Sequence, residues 1–293
     1  MPSYIEEKHQ YISQLTISEI IFAPILGPVR VPKALLPILS IVQPGKRRRG
    51  VAQSGQEESI NIAGLNIQMW HGGHGTPLLV LHGAGGNPGW LPFHEALAAH
   101  FHVYAPSHPG FGASDRPDWM ERVHDLAYFY RWFLEELHLA PLPVIGFSLG
   151  GWLAAEMAAM YPTLLRRIVL VGAAGMKPQH GEITDIFLIT PEEVLQKQFY
   201  DPTQVPDYQR LYGSEPTLEQ RQTTAWNREM AALLTWKPYM YNPKLPVLLS
   251  QVKIPTLVVW GRQDAIVPLN CAPVEGVCAF VVKAPKRTQN VAL

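Results

Sequence analysis

The stretch GFSLGG sets Ser148 between Gly146 and Gly150, directly after an apolar run and before a helix-like segment. A serine lifted on a sharp strand-to-helix turn can attack a carbonyl, provided that small neighbours let the chain turn so tightly. LHGAGGN supplies a second element: Gly83, Gly85 and Gly86 form a tight loop after a strand. There the backbone N–H of Ala84 faces Ser148 and, with that of Leu149 at the helix start, would hold the oxyanion of a tetrahedral intermediate. The third element is WGRQDAIVP, in which Asp264 stands just past a buried strand, where an acid can orient a proton-accepting side chain. The plain alternatives are a glycine turn for LHGAGGN and an N-cap or loop ion pair for Asp264.

These residues need a scaffold that brings several strand ends together. PLLVLHG, LPVIGF, RRIVLVG and PTLVVWG are continuous apolar runs ending in or near glycine, and HFHVYAP is a weaker member of the set. Such runs suit strands buried on both faces of a parallel sheet. INIAGLNIQMWHG reads as two strands around Gly64. In RVHDLAYFYRWFLEELHL, Leu126, Phe129, Tyr130, Phe133 and Leu137 share one helix face. SLGGWLAAEMAAMYP is a small-residue helix stopped by Pro162. Strands alternating with helices predict right-handed crossovers and an α/β fold with a doubly wound, mostly parallel sheet. Residues 176–245 break that rhythm: they carry helical segments such as TPEEVLQKQFY, capped by Thr190, and many aromatics, among them Phe187, Trp226, Trp236 and Tyr239. They are expected to form a helical lid over the serine.

In order and spacing, LHGAGGN, SHPGFGASDRP, GFSLGGWLAAEMA and IPTLVVWGRQDAIVP resemble the α/β-hydrolase superfamily over residues 57 to about 270. The resemblance is nearest to its lidded group of carbon–carbon-bond hydrolases and carboxylesterases. It implies Ser148 as nucleophile and Asp264 as triad acid, acting on a small apolar ester or an activated C–C bond. A serine at the turn counts against haloalkane dehalogenases and epoxide hydrolases, which place aspartate there.

The sequence departs from that pattern at the base. A helix, a strand and two loops after Asp264 span about 25–30 residues, which projects the histidine to around 289–294. Residues 288–293 read TQNVAL, and no histidine follows His180. Pro273 and Gly276 stand where a helix belongs, although VCAFVVKA can still form a last strand. The expectation is a truncation or frame change near Cys271 or Ala272, with the last helix lost and activity impaired. His82 and His108 follow core strands and are the only nearby substitutes. A small-ligand-binding protein on the same fold, with no catalysis, is the competing reading.

Composition bounds the rest. Of 293 residues, 47% are hydrophobic and 16% charged, and formal net charge is zero, which allows a large core and argues against nucleic acid as a partner. Cys271 and Cys278 are too few for a disulfide scaffold, and no CxxC or Cys/His cluster suggests a metal; no cofactor is expected either. A cytoplasmic location is the expectation, from that cysteine usage and from an N-terminus unlike a signal peptide. Residues 1–55 read as a proline-rich extension ending in the basic run Lys46–Arg49. Pro24, Pro28, Pro32 and Pro37 break its apolar stretch, so a spanning helix is rejected, and membrane-surface docking stays a minor alternative. The hydrolase core is assigned to 56–175 and 246–293.

Overall fold

The computed structural model describes residues 55–202, 208–272 and 278–282. Residues 1–54 of the N-terminal extension, the projected position of the histidine and the stretch 273–277 with Pro273 and Gly276 lie outside the described residues.

Eight strands form one sheet in the order β1-β2-β4-β3-β5-β6-β7-β8. β1 (Gln56–Ile62) and β2 (Leu65–Gly73) are the two strands read around Gly64, and both pairings of β2 are antiparallel. The other six run parallel: β3 (Pro77–Leu81), β4 (His102–Pro106), β5 (Leu142–Phe147), β6 (Leu165–Val171), β7 (Thr256–Gly261) and β8 (Cys278–Val282). The apolar runs of β3 to β7 are largely buried because helices cover both faces.

Helix α1 (Pro92–Ala98) follows β3, α2 (Val123–Glu136) follows β4, and α3 (Leu149–Met160) follows β5. On α2, Leu126, Phe129, Tyr130 and Phe133 are fully buried, as the sequence spacing requires. Each such side chain contributes about 1.5–3 kcal/mol over an exposed one. The small residues of α3 serve a different end. A Cβ at Gly151 would stand 2.6 Å from that of Ala173, so glycine lets this helix lie close against the end of β6.

Between β6 and β7 the described residues contain helices α4 (Pro191–Gln198), α5 (Tyr208–Tyr212), α6 (Leu218–Thr235) and α7 (Leu245–Leu249). Thr190 caps α4 as its sequence suggests, its hydroxyl accepting from the Glu193 N–H at 3.1 Å. Thr217 caps α6 in the same way. The buried stripe of α6, Asn227, Met230, Ala231 and Leu234, rests on the loops that follow β3 and β4. Phe187, Trp236 and Tyr239 form one ring cluster, while Trp226 and Trp236 keep 44% and 55% of their surface exposed, so they are not closed into the core. No helix among the described residues is long and apolar enough to cross a membrane.

Candidate active site

Ser148 occupies the one-residue turn between β5 and α3, at φ 50° and ψ −112°. A non-glycine residue there stores about 1–3 kcal/mol of backbone strain. The turn is held by the Ser148 N–H donating to Val171 O at 2.9 Å and the Ala174 N–H donating to Ser148 O at 3.1 Å. The flanking glycines are required by close approach. A Cβ at Gly146 would lie 2.2 Å from Gly150 O, and one at Gly150 would lie 2.3 Å from Leu81 O. The motif thus locks β5, α3 and the end of β3 together. Leu149 is the first residue of α3, so its N–H has no carbonyl of its own helix to meet.

The loop after β3 passes directly over the serine. A Cβ at Gly83 would stand 3.3 Å from Ser148 Cβ and 3.9 Å from its Oγ. The Gly86 N–H donates to Gly83 O at 3.1 Å and closes the loop, with Gly86 at φ +92°. Gly85 has open space around it, so tightness here depends on Gly83 and Gly86 rather than on all three glycines. Ala84 is buried at the centre of the loop. Its N–H shares a peptide unit with Gly83 O, so whatever holds that carbonyl aims the amide the opposite way.

Asp264 lies just past β7, as the sequence places it. Its Oδ1 accepts from the Ile266 and Val267 N–H groups, both at 2.9 Å, and its Oδ2 stands 3.3 Å from the position of a Cβ at Gly172. Ser148 is tied to Val171 and Ala174, the residues around that same Gly172. Serine and acid therefore meet at one strand end, that of β6. Burial pushes the Asp264 carboxyl above its ordinary pKa, and the two amide bonds pull it back.

The two histidines nearest this site are fully engaged. His82 donates from Nδ1 to Gly83 O at 2.7 Å and accepts at Nε2 from the His108 N–H at 2.9 Å. An amide can only donate, so this tautomer is forced. His108 in turn donates from Nε2 to His82 O at 3.0 Å and accepts at Nδ1 from Tyr130 Oη at 2.6 Å. The rings stack with centroids 3.7 Å apart. Burial drives His82 down to about 4 and His108 well below its ordinary value. Both are neutral structural groups with no nitrogen left for Ser148. His71 and His102 meet across β2 and β4, with ring nitrogens 3.3 Å apart, and Gly73, next to His74, pairs with His102, which opens β4. His82 follows the other end of the parallel neighbour β3, so this cluster is remote from Ser148 along the strands.

Asn227 was missed by sequence reasoning. From α6 its Nδ2 donates to Gly85 O at 2.9 Å, and its Oδ1 accepts from the Gly112 N–H at 2.9 Å. It is only 5% exposed. A buried asparagine inside an otherwise polar-looking helix is a faint signal, and only the fold names its partners. Among the described residues no three His, Cys, Asp or Glu side chains gather as a metal site would require.

A mostly parallel sheet with a serine turn after β5, an adjoining amide loop after β3 and an acid after β7 defines a class, and comparison places the chain within it. Residues 76–274 match the family model described as alpha/beta hydrolase fold, and the chain belongs to that family. An uncharacterised protein of Mycobacterium tuberculosis is 27% identical over 224 residues, a match covering 68% of this chain and 65% of that protein. The 2-hydroxy-6-oxononadienedioate/2-hydroxy-6-oxononatrienedioate hydrolase of Burkholderia vietnamiensis is 29% identical over 246 residues, covering 74% of this chain and 83% of its own. Among solved structures, the 2-hydroxy-6-oxo-6-phenylhexa-2,4-dienoate hydrolase of Rhodococcus sp. strain RHA1 superposes with a TM-score of 0.62 at 20% identity, covering 79% of this chain and 90% of that one. A bacterial membrane phospholipase A gives a TM-score of 0.59 at 24% identity, covering 80% and 79%. Both are likenesses of fold.

Proposed function

We propose that the chain is a serine hydrolase scaffold for a small apolar ester or an activated C–C bond. Ser148 is the nucleophile, Asp264 the triad acid, and the Ala84 and Leu149 N–H groups the oxyanion donors. The observation that carries this reading is the strained Ser148 turn, set under the Gly83–Gly86 loop with Asp264 at the same strand end. Strain at a polar side chain beside oriented amides is a cost that folding alone gives no reason to keep. In the reaction, Ser148 Oγ bonds to the carbonyl carbon and the oxyanion forms against the two amides. The leaving group then departs and water releases the acyl group. Helices α4 to α6 serve as a lid, since α6 packs on the loops flanking the serine. Carbon–carbon-bond hydrolases among the relatives support the substrate class, and the cysteine usage supports the cytoplasm.

The engaged nitrogens of His82 and His108 favour a qualification: neither of these histidines is free to serve Ser148 as a base. Its proton then passes to solvent, and turnover is slow, about 10³–10⁴ over water from binding and oxyanion stabilisation alone. The same observation favours a second reading, a non-catalytic binder of small apolar ligands. p-Nitrophenyl acetate separates them. A burst of p-nitrophenolate that disappears in Ser148→Ala supports the hydrolase, whereas equal release by both proteins supports the binder.

A further inference from the structure

We propose that Asn227 on α6 is a positioning residue for the oxyanion amide, acting beside the His82 Nδ1–H that also holds Gly83 O, through a relay of hydrogen bonds from the lid to Ala84; this rests on the oxyanion role proposed above. The relay is continuous. The Gly112 N–H donates to Asn227 Oδ1, and Asn227 Nδ2–H donates to Gly85 O, each at 2.9 Å. Gly85 O and the Gly86 N–H belong to one peptide unit, and that N–H donates to Gly83 O at 3.1 Å. Gly83 O and the Ala84 N–H belong to the next. Each bond polarises the next peptide in the same sense, so the series ends on a more acidic and better aimed Ala84 N–H. The partners of Asn227 dictate its amide orientation, because one is an obligate donor and the other an obligate acceptor.

The surroundings are built for this side chain. A Cβ at Gly86 would stand 2.2 Å from Asn227 Nδ2, so glycine at 86 makes room for the amide. One turn on, Met230 packs against Gly110, where a Cβ would lie 2.6 Å from the methionine Sδ. Two residues of one α6 face thus grip the two loops, yet only Asn227 joins the peptide series. The consequence is coupling: whatever displaces α6 releases Gly85 O and loosens the oxyanion amide, and a ligand that needs that amide draws α6 down.

The test compares the full chain with its Asn227→Ala, Asn227→Asp, Met230→Ala and Ser148→Ala variants. One readout is the rate of the p-nitrophenolate burst. In that step an ester bond forms at Ser148 Oγ, p-nitrophenolate leaves and the hydroxyl proton goes to solvent. The other readout is the affinity for phenylboronic acid, whose adduct with Ser148 carries an anionic oxygen at the oxyanion position, relative to that for benzoate, which forms no adduct. Outright loss of an oxyanion donor costs about 10²–10³, so a mis-set donor in Asn227→Ala is expected to cost about tenfold or more in burst rate and boronate affinity. Benzoate affinity should stay within about twofold. Asn227→Asp keeps the Gly112 bond but sets a carboxylate oxygen against Gly85 O, and should lose at least as much; it carries the test if Asn227→Ala fails to fold. Met230→Ala should lose stability and keep the boronate-to-benzoate ratio. A burst and ratio unchanged in both Asn227 variants, or a Met230→Ala that reproduces their loss, overturns the relay and leaves the hydrolase reading standing. A burst that survives Ser148→Ala overturns both.

Discussion

Acidification should unfold this protein through its buried histidines. His82 is held down to about 4 and His94 to about 3, each by burial, and His108 is held well below its ordinary 6.5. All three are neutral in the folded chain: His82 and His108 through the bonds given above, and His94 by accepting from the Leu91 N–H at 3.0 Å. A folded pKa below the unfolded one means that the unfolded chain binds more protons as pH falls below about 6.5. Stability is therefore full above that value and is lost progressively until the folded pKa is reached. Linkage gives a loss of about 2 kcal/mol each for His82 and His94 at pH 5, hence about 4 kcal/mol for the pair, and His108 adds to it in the same direction. Asp264 opposes this, because its raised pKa lets the folded chain take up a proton first. Total stabilities of domains are about 5–15 kcal/mol, so the loss is a large share. Urea unfolding followed by tryptophan fluorescence at pH 7.5, 6 and 5 measures it, and the expected result is a falling midpoint at constant slope. A stability that changes by less than about 1 kcal/mol over that range would refute the reasoning. His82 and His108 would then titrate in the folded state, and their exclusion as bases for Ser148 would fall with it.

Ser148→Gly should abolish the burst yet raise stability by about 1 kcal/mol, since glycine accepts φ 50° without strain; a thermal midpoint at or below that of the parent contradicts the strained turn. Gly150→Ala should destabilise by about 3 kcal/mol or more, because its Cβ must displace Leu81 O, and a normal midpoint would count against the packed elbow. His82→Phe removes one of the two donors to Gly83 O and orphans the His108 N–H, at about 1–3 kcal/mol for that buried amide; urea unfolding reads the loss. Replacing residues 272–293 by a superfamily tail with histidine on its last loop should raise Ser148-dependent turnover by about 10²–10⁴, and a folded chimera with no gain supports the binding reading.

The periodicity of the chain was enough to place seven strands up to β7, helix α2 with its buried face, the Thr190 cap and the serine turn. Each is a local matter: apolar runs, a 3.6-residue stripe, or small residues flanking a turn determine it without distant partners. The eighth strand was legible for the same reason, from VCAFVVKA. Ser148 and Asp264 could be named because each follows its own strand, and parallel strands deliver their ends to one edge. What each side chain then touches was beyond local signals. Whether His82 is base or buttress depends on the His108 amide 26 residues away, and on Tyr130 behind it. Asn227 meets Gly85 across 142 residues of chain and Gly112 across 115. Those pairings arise only when the sheet has set the loops after β3 and β4 side by side and α6 has packed down on them. Composition and spacing therefore determined the strands, the serine turn and the order of the candidate residues along the chain, and tertiary packing decided which partners each of their side chains meets.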